Sequence, residues 1–154
     1  MLGLSNKTGI EIEEGTPGAS SQNAIASAIG QGNHRYSTLN LARYVTTLAT
    51  SGTCYNLTLI DKITDYDGNI IKENHAEVNN QVELSSDIWN TVHSGMNMAV
   101  GTYTALSSLH MSIAAKTGTA QERTTDPDHA TLISYAPYDL SLIHISEPTR
   151  RRGI

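Results

Sequence analysis

The chain has 154 residues, a formal charge of −5, and 38% hydrophobic against 16% charged residues. That composition gives one domain with a packable core and argues against disorder. No basic block is large enough to track a phosphate backbone, which argues against a nucleic-acid partner, and no apolar run approaches the ~20 residues that span a bilayer.

The opening "MLGLSNKTG" has neither a basic n-region nor an apolar h-region, so it is no signal peptide, and Met1 is compatible with an internal methionine of a longer protein. Lys7-Thr8-Gly9 follows, its glycine placed as a turn before "IEIEE", which reads as a short alternating strand with charged outward positions. "STLNLARYVTTLATSG" reads as a helix. Ser37 or Thr38 can cap it, Leu41, Val45, Leu48 and Ala49 share a face, and Gly52 can take the left-handed C-terminal conformation. The single cysteine, Cys54, follows in an expected loop. It cannot form an internal disulfide and reads as buried or neutral rather than nucleophilic.

"LTLIDKITDYDGNIIKE" reads as a β-hairpin, with residues 57–64 alternating, Asp67-Gly68 turning and Ile70-Ile71 starting the return. "SSDIWNTVHSGMNMAVG" is a second helix, capped by Ser85 or Ser86 and favoured by Asp87 at its positive end. Ile88, Val92, Met96, Ala99 and Val100 are expected to line one side, and Gly101 to end it. "HMSIAAKTGTAQ" is a strand, with Met111, Ile113 and Ala115 alternating against Ser112, Ala114 and Lys116. "HATLISYAP" is its expected antiparallel neighbour across the polar loop "ERTTDPDH". The six histidines show no i, i+4 pairing, so a metal site has little support, and Trp89, Met96 and Met98 read as core and helix surface. No Gly-x-x-x-x-Gly-Lys precedes either threonine of a Lys-Thr-Gly, which excludes a phosphate-binding loop.

Lys-Thr-Gly therefore occurs twice. At Lys116-Thr117-Gly118-Thr119 it ends a strand of small apolar residues, where a lysine can stand beside a cleft and a mid-strand glycine leaves room for a close approach. Strict alternation puts Lys116 and Gly118 on one face and Thr117 and Thr119 on the other. A site using both threonines thus needs local twist or an edge position. "KTGTAQ" resembles the third motif of the penicillin-recognising serine transferases. "AIGQGNHRYSTLNLARYVTTLATSG", "TDYDGNII", "HATLISYAP" and "NKTGIEIEEGTPG" extend the likeness to the transpeptidase domain of class B penicillin-binding proteins, over nearly all of residues 1–139. In that likeness Lys116 is the site and Lys7 the decoy.

The resemblance implies a mixed α/β fold of the serine β-lactamase and D,D-peptidase type, an antiparallel sheet flanked by helices, incomplete at both ends. It implies an enzyme whose serine is acylated by a peptidoglycan stem peptide ending in D-Ala-D-Ala and trapped by β-lactams, with no cofactor and no metal. The parent would be anchored on the outer face of the bacterial cytoplasmic membrane, within a cell-wall synthesis complex. Lys116 would supply positive charge, Thr117 and Thr119 hydroxyls for the substrate carboxylate, Gly118 space, and the Thr119 backbone N–H half of the oxyanion hole. The family's nucleophile stands in Ser-x-x-Lys, which this sequence lacks. Ser21-Gln22-Asn23 fits the second motif, Ser-x-Asn, only by letters, because it follows rather than precedes the Lys7 segment. Both motifs are thus expected upstream of Met1. A β-lactam sensor, a carboxypeptidase and a non-catalytic binding module remain alternatives.

The end, "LSLIHISEPTRRRGI", resembles the translation of a widely used transposase sequencing adapter, so residues 140–154 read as an adapter-derived tail. Its three arginines face one glutamate, which leaves residues 1–139 more acidic than the whole.

Overall fold

A computed structural model describes residues 2–20, 24–120 and 129–139. Its elements are α1 (Ala24–Ala28), α2 (Thr38–Ala49), β1 (Thr53–Tyr55), β2 (Lys62–Thr64), β3 (Ile70–Glu73), β4 (Val78–Gln81), α3 (Ser86–Val100), α4 (Thr104–Ser107), β5 (Ala114–Ala120) and β6 (His129–Tyr135). The strands form three antiparallel pairs, β1 with β4, β2 with β3 and β5 with β6.

The helix α2 starts where the sequence put it. Ser37 Oγ accepts the Asn40 N–H at 3.2 Å while Asn40 Oδ1 accepts the Ser37 N–H at 3.0 Å, a reciprocal cap. Its buried face differs from the expected apolar stripe. Asn40, Arg43 and Thr47 are buried beside Leu48, while Leu41, Val45 and Ala49 are only half-buried. The reason is the N-terminal segment, which lies along α2 and presents carbonyls to it. Arg43 Nε donates to Gly3 O at 3.0 Å, Nη2 to Gly3 O at 2.6 Å and Nη1 to Lys7 O at 2.8 Å. The Asn6 carbonyl accepts from Nη2 as well.

The expected strand "IEIEE" does not form; residues 10–14 bend instead. Two of its glutamates, Glu11 and Glu14, accept backbone N–H groups. Glu14 Oε2 accepts the N–H groups of Thr8 at 2.8 Å and Gly9 at 3.2 Å, and Oε1 accepts the Thr8 hydroxyl at 2.8 Å. Glu11 accepts the Leu59 N–H at 2.9 Å and the Thr58 hydroxyl. The Thr58 bond, then the Leu59 bond, hold the Glu11 carboxyl below its usual range. A depressed folded-state value means this tether contributes above the unfolded carboxylate range and is lost as pH falls through the folded value. The Leu59 amide resonance should therefore titrate with a midpoint below that of a free glutamate, and Glu11→Gln should abolish that titration.

The hairpin is shorter than expected. Strand β2 begins only at Lys62, because Leu57 N–H bonds Thr8 O at 2.9 Å and Asn56 N–H bonds Glu77 O at 2.9 Å. The turn is as read, with Gly68 at φ +87° and the Asp65 carboxylate accepting the Asn69 N–H at 2.8 Å. Cys54 is not in a loop: it is the buried centre of β1, paired with Asn80 of β4.

In α3, Ser85 takes the N-cap position without a side-chain cap bond, and Gly101 ends the helix. Ile88 is exposed and Trp89 turns inward, with Met96 and Val100. Leu48 of α2 packs with Trp89, Met96 and Ala114, while Val100 packs with Ile113 and Ala115. The two faces of β5 are thus both covered at its start, by alternate residues. The strand begins at Ala114 rather than at His110, and Met111 stays exposed. The loop "ERTTDPDH" up to residue 128, the Ser21-Gln22-Asn23 decoy and residues 140–154 lie outside the described residues. No described helix is long and apolar enough to cross a membrane.

Candidate active site

Strand β5 carries the second Lys-Thr-Gly. It pairs β6 in unbroken register, Ala114 with Tyr135, Lys116 with Ile133, Gly118 with Thr131 and Thr119 with Ala130. Ala114 and Ala115 are fully buried, and from Lys116 onward the strand emerges: Lys116, Gly118 and Thr119 are exposed and Thr117 half-buried. Small residues let the strand enter between helices, and the motif begins where cover ends.

Beside that stretch lies a cleft of about 490 Å³. Lys116, Gly118, Thr131 and Ile133 form its sheet wall, Leu41 and Tyr44 of α2 the facing wall, and Ser27, Gly30, His34 and Tyr36 of the Gly-rich segment a third. Burial raises the Tyr44 phenol, which keeps that wall uncharged. His34 Nδ1 accepts the Ser20 N–H at 3.1 Å and its ring stacks on Tyr36 at 5.7 Å between centroids. Thr117 also borders the cleft. Its hydroxyl is bonded to the phenol of Tyr103, from the α3–α4 junction. The four motif side chains therefore do not share one face. The strand edge is where both faces become reachable, as alternation required.

Direction along that edge follows from two hydrogen bonds. Lys116 Nζ donates to Thr117 O, and Gln31 Nε2 donates to Thr119 O at 3.5 Å. In an antiparallel ladder a residue's N–H and C=O point the same way, alternately toward and away from the partner. With these carbonyls turned away from β6, the Thr119 N–H is aimed at the same open edge. Asn97 Nδ2 donating to Ile113 O at 2.7 Å fits the same alternation.

Lys7-Thr8-Gly9 lines no wall of this cleft. Thr8 is buried under its Glu14 bonds, and Gly9, at φ +85°, sits against Asn56 at the end of β1. Sequence reasoning missed Tyr103, His34 and Tyr36. None belongs to a periodic pattern, although the likeness quoted for residues 28–52 spans His34 and Tyr36. Among the described residues no group of three His, Cys, Asp or Glu side chains is arranged to hold a metal.

The model of the penicillin binding protein transpeptidase domain family matches residues 1–146. The chain belongs to that family. Penicillin-binding protein 2A of Bacillus subtilis is 32% identical over 95% of this chain, and penicillin-binding protein 2B of Streptococcus pneumoniae 27% identical over 89%. The chain spans about a quarter of those relatives, 23% of each. Among solved structures, penicillin-binding protein 2B of Streptococcus pneumoniae superposes with a TM-score of 0.75 at 26% identity, covering 90% of this chain and 25% of that one. The imipenem acyl-enzyme complex of penicillin-binding protein A from Mycobacterium tuberculosis reaches 0.73 at 21% identity, over 85% of this chain and 32% of that one, a likeness of fold. The resemblance to the class B branch and the mixed α/β fold expected from the sequence are both met.

Proposed function

We propose that the chain is the third-motif part of a serine-type D,D-transpeptidase that crosslinks peptidoglycan. In the whole enzyme a serine oxygen attacks the carbonyl of the penultimate D-Ala, the terminal D-Ala leaves with a proton, and an amine from a neighbouring strand takes the acyl group. β-Lactams acylate the same serine and stay. Lys116 contributes positive charge to the proton network and the carboxylate, Thr117 and Thr119 hydroxyls bind the carboxylate, and the Thr119 N–H forms half of the oxyanion hole. The parent works outside the cytoplasmic membrane, anchored to it and joined to other cell-wall enzymes.

The observation that carries this reading is the open edge of β5, with the Lys116 side chain and the Thr119 N–H both delivered to it. Gly118 adds support: a Cβ there would meet nothing within 4 Å, so packing does not demand glycine and the space is available to a ligand. The test uses labelled penicillin and intact-mass spectrometry. This chain alone, with no Ser-x-x-Lys, should take up no label, and a stoichiometric adduct on it would overturn the assignment. In the whole parent enzyme Lys116→Ala should slow acylation about 100-fold, the scale of losing one preorganised charge or donor. An unchanged rate would overturn the transpeptidase reading.

A further inference from the structure

Tyr103 has no place in the reading above, yet it holds a residue that does. Its phenol oxygen is hydrogen-bonded to Thr117 Oγ1, on the face of β5 that also carries Ile113 and Ala115. Thr119 shares that face by alternation, further along the same strand edge, and Thr117 borders the cleft. The tyrosine backbone is fixed from both sides. Its N–H donates to Val100 O at 3.0 Å, and its carbonyl accepts the N–H groups of Leu106 and Ser107 at 2.9 Å each. The phenol thus comes from a tied junction between α3 and α4, not from a free loop.

A threonine hydroxyl has one proton and two lone pairs. If Thr117 donated that proton to the phenol, none would remain for an anion. If the phenol donates, the Thr117 proton is left for a carboxylate, and a chain of donors polarises in one direction. A phenol is far more acidic than an aliphatic hydroxyl, which makes Tyr103 the better donor of the two.

Resting on the transpeptidase reading, we propose that Tyr103 is a positioning residue for the substrate carboxylate: its phenol donates to Thr117 Oγ1, so the single Thr117 proton is presented, beside the Thr119 hydroxyl, to a carboxylate at the open edge of β5. No atom of Tyr103 touches the acyl carbonyl. Its effect is on recognition of the carboxylate and not on bond making.

The experiment compares acylation of the whole parent enzyme by a penicillin with a free carboxylate and by the methyl ester of the same penicillin. Tyr103→Phe should raise the concentration of free acid giving half-maximal acylation about 5- to 10-fold, the worth of one hydrogen bond between neutral groups. The limiting rate should stay within about two-fold, and the ester should react as it does with the wild type. Thr117→Val should show the same acid-selective loss, with the double variant no worse than either single one. Thr117→Ser, which keeps the hydroxyl, should restore acid preference. If acid and ester decline together, Tyr103 only props the strand and the proposal is overturned. It is equally overturned if neither declines, or if the two single losses add. Lys116→Ala, run alongside, separates the two claims. A wild-type rate for Lys116→Ala sinks the transpeptidase reading, whereas a slow Lys116→Ala with an unchanged Tyr103→Phe sinks only the carboxylate relay.

Discussion

Replacing Arg43 by leucine should cost the chain about 3–4 kcal/mol, because it takes the donor from the carbonyls of Gly3 and Lys7, at about 1–3 kcal/mol each, and leaves Asn6 O only the 3.4 Å bond from Asn40 Nδ2. Arg43 is 1% exposed and lies among Gly3, Asn6 and Lys7, with no carboxylate partner among the described residues. A guanidinium survives such burial because its planar fork reaches three carbonyls at once and is weakly hydrated to begin with. Its attraction for the N-terminal segment then outweighs the desolvation it suffers. Leucine supplies apolar surface but no donors, so the segment must either leave α2 or keep unpaired oxygens. Lysine is no rescue, since one ammonium cannot span the carbonyls of Gly3 and Lys7. Denaturant titration should show the loss, and hydrogen exchange should locate it in residues 3–9 rather than in β5 and β6. A cost under about 1 kcal/mol would mean that water replaces the fork, and that the polar face of α2 is incidental.

That same face explains where sequence reading stopped short. The start of α2 was legible because Ser37 acts within one turn. At its end the left-handed residue is Ser51, at φ +52°, rather than Gly52, which follows at φ +104° and donates its N–H to Thr47 O at 2.8 Å. The inward face of α2 was not legible, because the partners of Arg43 lie 36–40 residues away in a segment with no pattern of its own. The strand "IEIEE" failed for a related reason: its alternation was genuine, but Glu11 and Glu14 found backbone N–H groups to bind. Those bonds are specific, while three or four alternating residues specify a strand only weakly. Ile88 departs from the expected stripe, while Trp89 is buried as read, because a helical stripe read from spacing leaves its edge residues undecided by about one position.

The site divides the same way. Strand β5 was legible from composition, since Ile113, Ala114 and Ala115 must be buried and Lys116 must not, and β6 followed from a polar loop ending in a second alternating run. The choice between the two Lys-Thr-Gly copies rested on this context. The glycine of the first copy has a positive φ and a threonine locked to Glu14, so it is a turn, whereas Gly118 lies in a regular ladder. What could not be read were the pieces arriving from elsewhere. Gln31 reaches Thr119 across 88 residues and Tyr103 reaches Thr117 across 14, and neither contact leaves a trace in hydrophobic period.

Gly52→Ala should be the most damaging small substitution, at about 3–4 kcal/mol. Two costs combine there. The backbone at Gly52 has φ +104°, a region that a side chain opposes by about 1–2 kcal/mol. A Cβ would also stand 2.2 Å from the Val82 carbonyl oxygen and 2.9 Å from Trp89 Cζ2, and overpacking of that kind costs about 1–3 kcal/mol. Neither neighbour can yield easily. Val82 N–H bonds Gly52 O at 2.9 Å, which keeps the end of β4 against the α2–β1 turn, and Trp89 is buried against Leu48. Two other glycines separate the contributions. Gly68, at φ +87° with nothing within 4 Å, carries the conformational cost alone, so Gly68→Ala should lose about 1–2 kcal/mol. Gly118 has neither a positive φ nor a close neighbour, and Gly118→Ala should leave stability within about 0.5 kcal/mol. Denaturant midpoints for the three variants should therefore fall in the order Gly118, Gly68, Gly52. If Gly52→Ala costs no more than Gly68→Ala, the Val82 carbonyl moves aside freely, and the turn joining α2 to β1 is not held by close approach.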